Sequence, residues 1–151
     1  MRARNVTQEI QVADQPDLSD FQALVSTGFR GVVNLRQDGE PEQPLGPERE
    51  GEEVRALGLG YLHCPMGGTP LTREMVEGVS EFIEGCSKDG GRVLVHCRKG
   101  GRAIAMVLLA LARQEKWNPG EVIAEGQELG LVVDGPLRMI VEDYLQREGT
   151  A

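Results

Sequence analysis

The run "VLVHCRKGGR", residues 93–102, brings one histidine, one cysteine, two adjacent glycines and three cations together. Its apolar start leads into His96 and Cys97, which predicts a buried strand that ends at the cysteine and turns sharply into a helix. The backbone N–H groups of the turn have left the strand ladder and have not yet entered the helix. Gly100 and Gly101 tolerate positive φ, so these N–H groups can point inward as a nest for an anion. The helix N-terminus adds partial positive charge, and Arg102 can fold back to offer a two-pronged fork. Donors that favour a bound anion also favour thiolate over thiol. Cys97 is therefore a candidate nucleophile, facing an oxyanion or a sulfur anion held by Arg98, Lys99, Gly100, Gly101 and Ala103. A packed cysteine before a glycine-rich connection needs no function. Three cations clustered in an otherwise acidic chain favour the functional reading.

The chain has 151 residues, 24 acidic and 16 basic, with a net charge of −8. One domain spanning 1–151 with its own core suits that length. The acidic balance opposes nucleic acid and anionic membranes, so neither is expected as a partner, and an anionic substrate needs a local basic site. Cys64, Cys86 and Cys97 are too few and too scattered for a disulfide framework, and no ligand spacing for a metal is present, so no metal or cofactor is expected. Cys64 reads as a small packed residue and Cys86 as structural or exposed. His96 reads equally as a tuning group or a satisfied core residue. The N-terminus has no apolar stretch of a secretory signal and no run approaches the ~18 apolar residues of a membrane span, so a cytoplasmic protein is expected.

The elements that must position the turn alternate between strand and helix. "EIQV", "RGVVNLR", "YLHCP" and "RVLVHC" read as strands. Helices are expected after Pro16-Asp17, from Pro47, after Thr72, over "AIAMVLLALARQ" and through the C-terminal third. Residues 36–53, with three prolines and seven carboxylates, read as a surface loop running into a helix. This alternation predicts an α/β fold with a mainly parallel sheet of four or five strands, "RVLVHC" in its middle and helices on both faces. Ligands of such sheets bind beyond the carboxyl ends of the strands, where Cys97 is placed.

The pieces "VADQP", "GFRGVVNLRQDGE", "YLHCPMGGTPLTREMV", "VLVHCRKGGRA" and "WNPGEVIAEGQELGL", in this order, resemble the phosphatase-like domain of the beta-lactamase-hydrolase-like family, a relative of the dual-specificity phosphatases. The resemblance implies a three-layer cysteine-phosphatase fold in which Cys97 attacks phosphorus and Arg102 grips the phosphate. The implied substrate is a phosphorylated small molecule or a phosphoprotein. Three features depart from the ordinary protein-phosphatase pattern. Four residues, not five, separate Cys97 from Arg102; Ala103 stands where a hydroxyl residue follows the arginine; and the loop "MGGTPLT" holds no acid. Asp38, beyond a strand that neighbours the cysteine strand in this fold family, is the substitute acid to examine. The cysteine turn is also similar to that of rhodaneses, which carry a persulfide and need neither acid nor hydroxyl. The alternatives to a phosphatase are thus a sulfurtransferase and a non-catalytic anion-binding module.

Overall fold

The computed structural model describes residues 1–150. Five strands form one sheet in the order β1-β2-β5-β3-β4: β1 Ala3–Asn5, β2 Ile10–Ala13, β3 Phe29–Asn34, β4 Gly60–His63 and β5 Arg92–His96. All neighbouring pairs are parallel except β1 with β2. The expected mainly parallel sheet is therefore present, with the cysteine strand at its centre. Val93, Leu94 and Val95 of β5 are wholly buried, as a strand covered on both faces requires. The strand missing from the sequence reading is β1, three exposed residues at the edge.

Alternation along the strands divides the core in two. Val32 and Leu94 point to one side, packing with Phe21 and Leu24 of α1 (Leu18–Val25) and Val54 of α2 (Pro47–Ala56). Val33, Val93 and Val95 point to the other side, against α3 (Arg73–Cys86) and α4 (Gly101–Gln114). Helices α5 (Val122–Glu128) and α6 (Gly135–Glu148) close that layer. The central helix α4 buries nine residues, which accounts for its nearly all-round apolar sequence. Helix starts follow local chemistry. Asp17 and Thr72 cap α1 and α3 through their side chains, and Pro47 occupies the first turn of α2.

The register brings four strand ends into one row. Ala13 pairs with His96, His96 with Asn34, and Asn34 with His63. Everything that follows these residues, including Cys97 and the acidic loop after β3, is delivered to the same edge of the sheet.

Candidate active site

Cys97 lies immediately past the end of β5 and is 1% exposed. Its backbone N–H donates to Ala13 O, and its sulfur accepts from the Gly100 N–H at 3.0 Å. Gly100 makes this possible by adopting φ 101°, a left-handed conformation that turns its N–H back toward the sulfur and starts α4. Ala103 is fully buried in the first turn of α4. Lys99 projects outward, exposed, while Arg98 is half-buried and its guanidinium reaches Glu42 at 2.8 Å. The Arg98 Nε is buried without a partner among the described residues.

Arg102 folds back over the turn as expected, but its outer end is held by protein. Nη2 donates to Glu40 Oε1 at 2.7 Å, Nη1 to Glu40 Oε2 at 2.8 Å, and Nη1 also to Met66 O at 2.9 Å. Glu40 is anchored in turn by the Gln37 N–H at 2.6 Å and Arg36 Nε at 3.2 Å. The Arg102 hydrogen bonds hold the Glu40 carboxyl well below the usual carboxylate range, at about 2, although partial burial opposes this. Arg102 itself is held more strongly charged, chiefly by Glu40 and also by the Cys97 sulfur.

Asp38, the substitute acid read from the sequence, is exposed, and its carboxylate faces Gly46. No hydrogen bond or ion pair joins Asp38 to Cys97 or Arg102 among the described residues; the carboxylates of this loop that reach the turn are Glu40, on Arg102, and Glu42, on Arg98. The residues of "MGGTPLT" contribute a carbonyl to Arg102 and no acid.

Beneath the turn lies a buried polar network that the sequence reading did not contain. His96, fully buried, places Nε2 2.8 Å from Glu50 Oε2. The Tyr61 hydroxyl donates to the same oxygen at 3.0 Å, and Gln15 Nε2 donates to Glu50 Oε1 at 3.0 Å. Asn34 donates to the Tyr61 oxygen, and buried Arg36 donates to Gln15 Oε1 at 2.8 Å. Burial pushes the Glu50 carboxyl up, but its bonds to His96, Gln15 and Tyr61 outweigh this and leave it below its ordinary value. Burial and the neighbouring Glu50 charge push the Tyr61 hydroxyl strongly up. His96 is thus a satisfied core residue whose side chain ties the cysteine strand to α2. The Arg36 guanidinium also gathers the carbonyls of Pro41 and Glu42, so the acidic segment is a folded loop wound around a buried cation.

This geometry agrees with the comparisons. The family model for the beta-lactamase hydrolase-like protein, phosphatase-like domain, matches residues 2–114. The chain belongs to this family. The beta-lactamase hydrolase-like protein of Xylella fastidiosa (strain 9a5c) is 32% identical over 131 residues, covering 86% of this chain and 30% of the relative. That of Agrobacterium fabrum is 32% identical over 152 residues, covering all of this chain and 33% of the relative. The chain therefore spans about a third of the length of the curated relatives it matches. Among solved structures, PTPMT1 aligns with a TM-score of 0.75 at 17% identity, covering 97% of this chain and 95% of that one. Tk-PTP in its active form aligns with a TM-score of 0.73 at 22% identity, covering 97% of each chain. The phosphatase-like domain thus has the fold of these phosphatases, as the resemblance implied, with a cysteine turn at the expected edge.

Proposed function

We propose that this phosphatase-like domain is a cysteine-dependent group-transfer site with Cys97 as nucleophile, and that the group it handles best is a sulfane sulfur. The observation that carries this reading is the end-on pairing of Glu40 with Arg102. Hydrolysis of an alkyl phosphate through Cys97 needs a proton donor for the leaving oxygen. Glu40 is held ionised down to about pH 2 and so cannot be that donor near neutrality. The site's charge also speaks against a dianion. Arg98 and Arg102 are each paired with a carboxylate, Glu42 and Glu40, so little net side-chain charge is left for thiolate and ligand together.

Sulfur transfer needs neither the acid nor a larger charge. The Cys97 thiolate attacks the outer sulfur of a persulfide R–S–S⁻, the S–S bond of the donor breaks, and R–S⁻ leaves with the electron pair. Cys97 then holds a persulfide anion; each partner carries one negative charge before and after the exchange, and no proton moves. The turn N–H groups and the start of α4 stabilise its terminal sulfur. A thiolate or cyanide acceptor takes that sulfur and restores Cys97. The four-residue spacing and Ala103 both suit this cycle. Three free cysteines suit a reducing, cytoplasmic setting.

Phosphate-ester hydrolysis through Cys97 and Arg102, of the protein-tyrosine or dual-specificity kind, is the second reading, favoured by the family and the fold. PTPMT1 has been solved with PI(5)P, which makes a phosphorylated small molecule the first substrate to try. An aryl phosphate, whose leaving group needs little protonation, should be the best phosphate substrate.

A paired assay of the purified protein separates the two. Transfer of sulfur from a small persulfide to cyanide is expected, abolished in Cys97→Ser. Alkyl phosphate hydrolysis should be at least ~10²-fold weaker than in a phosphatase with its acid in place, and aryl phosphate hydrolysis weakened less. Vigorous Cys97-dependent phosphate hydrolysis without sulfur transfer would establish the second reading instead.

A further inference from the structure

The outer wall of the Cys97 turn borders a second basic site. Glu40 approaches the turn from the β3 side of β5; on the β2 side the turn faces the sheet edge formed by β1. A cavity of about 400 Å³ opens there, lined by Arg2, Arg4 and Lys99, with Val12 on the sheet and Gly100 and Ile104 at the start of α4. Arg4 stands directly opposite Val12 in the β1–β2 register and so shares its face of the sheet. Arg2 lies two positions earlier, where Asp14 N–H donates to its carbonyl and continues the ladder, so the same face is repeated.

None of these three cations forms an ion pair among the described residues. The acid at the cavity, Asp14, accepts from the Arg2 backbone N–H at 2.6 Å. Three cations against the one carboxylate of Asp14 leave this cavity net positive, a local reversal in a chain of net charge −8. Alternate residues of a strand stand roughly 6.6–6.8 Å apart, so Arg2 and Arg4 match two anionic groups a few bonds apart better than one compact ion. Lys99 closes the third side. Val12 and Ile104 offer an apolar floor for the carbon or bridging atoms between the charges.

We propose that this cavity binds a small molecule bearing two or more anionic groups, carboxylate or phosphate, independently of the anion cradle above Cys97. The site does not rest on which group Cys97 transfers. It places a ligand one peptide away from the nucleophile, because Gly100 both lines the cavity and donates to the Cys97 sulfur.

Calorimetric titration with citrate and with inorganic pyrophosphate tests this and separates carboxylate from phosphate recognition. The Arg102→Ala protein, whose cradle lacks its fork, serves as background. One equivalent of at least one probe should still bind there, with acetate and monophosphate much weaker. Arg4→Gln and Arg2→Gln, both exposed and away from the core, should each weaken that binding about five- to tenfold at low salt. In wild type the same probe should fill two places, one of them lost in Arg4→Gln. Absence of binding in the Arg102→Ala protein, or an affinity unchanged by both edge substitutions, overturns the proposal. The cations would then only guard the edge strand against pairing with another chain.

Discussion

Glu40 and Arg102, 62 positions apart, meet end-on, each carboxylate oxygen within 2.8 Å of a different terminal nitrogen of the guanidinium. The pairing aims Arg102 over the turn while taking its two outermost donors. It also fixes the protonation state of the carboxylate that the acidic loop brings to Arg102. A phosphatase-like framework is thereby fitted with an arginine that is held in place and an acid that is kept ionised.

That pair makes a pH-dependent contribution to stability. The Glu40 carboxyl lies at about 2 in the folded protein against an ordinary value of 4.5. A depressed carboxyl stabilises the fold above its ordinary value and loses that contribution as pH falls through the folded value. Glu40→Gln should therefore cost about 1–3 kcal/mol between pH 5 and 7. The difference from wild type should shrink steadily between pH 4.5 and 2. Chemical denaturation at a series of pH values measures it; a constant difference across that range would show that Glu40 is not held ionised by Arg102.

The Glu50 network predicts a larger effect away from the turn. Glu50 is 1% exposed and satisfies His96, Tyr61 and Gln15 together. Glu50→Ala leaves buried His96 and half-buried Tyr61 and Gln15 short of a partner and should destabilise the protein by about 3–5 kcal/mol. Glu50→Gln keeps the size and most of the hydrogen bonds, so it should cost less than half of that. Thermal melts of the two variants decide it, and equal melting temperatures would mean that volume, not hydrogen bonding, is what Glu50 supplies.

The parts of this arrangement that were legible in the sequence are those with local signals. The apolar runs of β5 and α4, the glycines between them and Arg102 are contiguous, so the turn could be placed before any tertiary contact was known. β1 could not, because "ARN" is short, polar and exposed and has no apolar alternation to read. Arg36, Glu40 and Glu50 were equally hidden. They lie in a stretch whose prolines and carboxylates look the same whether solvated or folded around a buried guanidinium. The sole signal for Glu40 was its place two residues after Asp38 in "RQDGE"; chemistry alone does not say which carboxylate turns inward. That choice depends on how the loop wraps Arg36 and on contacts spanning 46 to 62 positions.

The cysteines should respond differently to oxidation and alkylation. Cys64 and Cys97 follow β4 and β5, which are separated by β3, so two strand spacings, roughly 10 Å, lie between their backbones. A disulfide requires about 7 Å or less between Cα atoms. Mild oxidation should therefore leave Cys64 and Cys97 unlinked, which peptide mapping by mass spectrometry can check. Burial pushes the Cys64 and Cys86 thiols up, whereas the Cys97 sulfur already accepts the Gly100 N–H. Iodoacetamide at pH 7 should consequently label Cys97 first. A recovered Cys64–Cys97 bridge, or equal labelling of all three, would contradict this placement.

Anion capture at the turn is the test that both enzymatic readings share. Phosphate and vanadate should bind wild type, with Arg102 supplying the charged donor and the turn N–H groups the remainder. A charge-assisted hydrogen bond contributes about 1.5–3 kcal/mol, so Arg102→Ala should weaken binding by roughly tenfold or more. The loss has two components, because Arg102→Ala also leaves the ionised Glu40 facing the turn without its partner. The double variant Arg102→Ala with Glu40→Gln removes that repulsion and should recover part of the affinity. Arg102→Lys should not restore it, since an ammonium cannot hold Glu40 end-on and serve the anion at once. Calorimetry on the four proteins separates these contributions. Equal affinity in wild type and Arg102→Ala would reduce the turn to a connection between β5 and α4 and remove the basis for nucleophilic chemistry at Cys97.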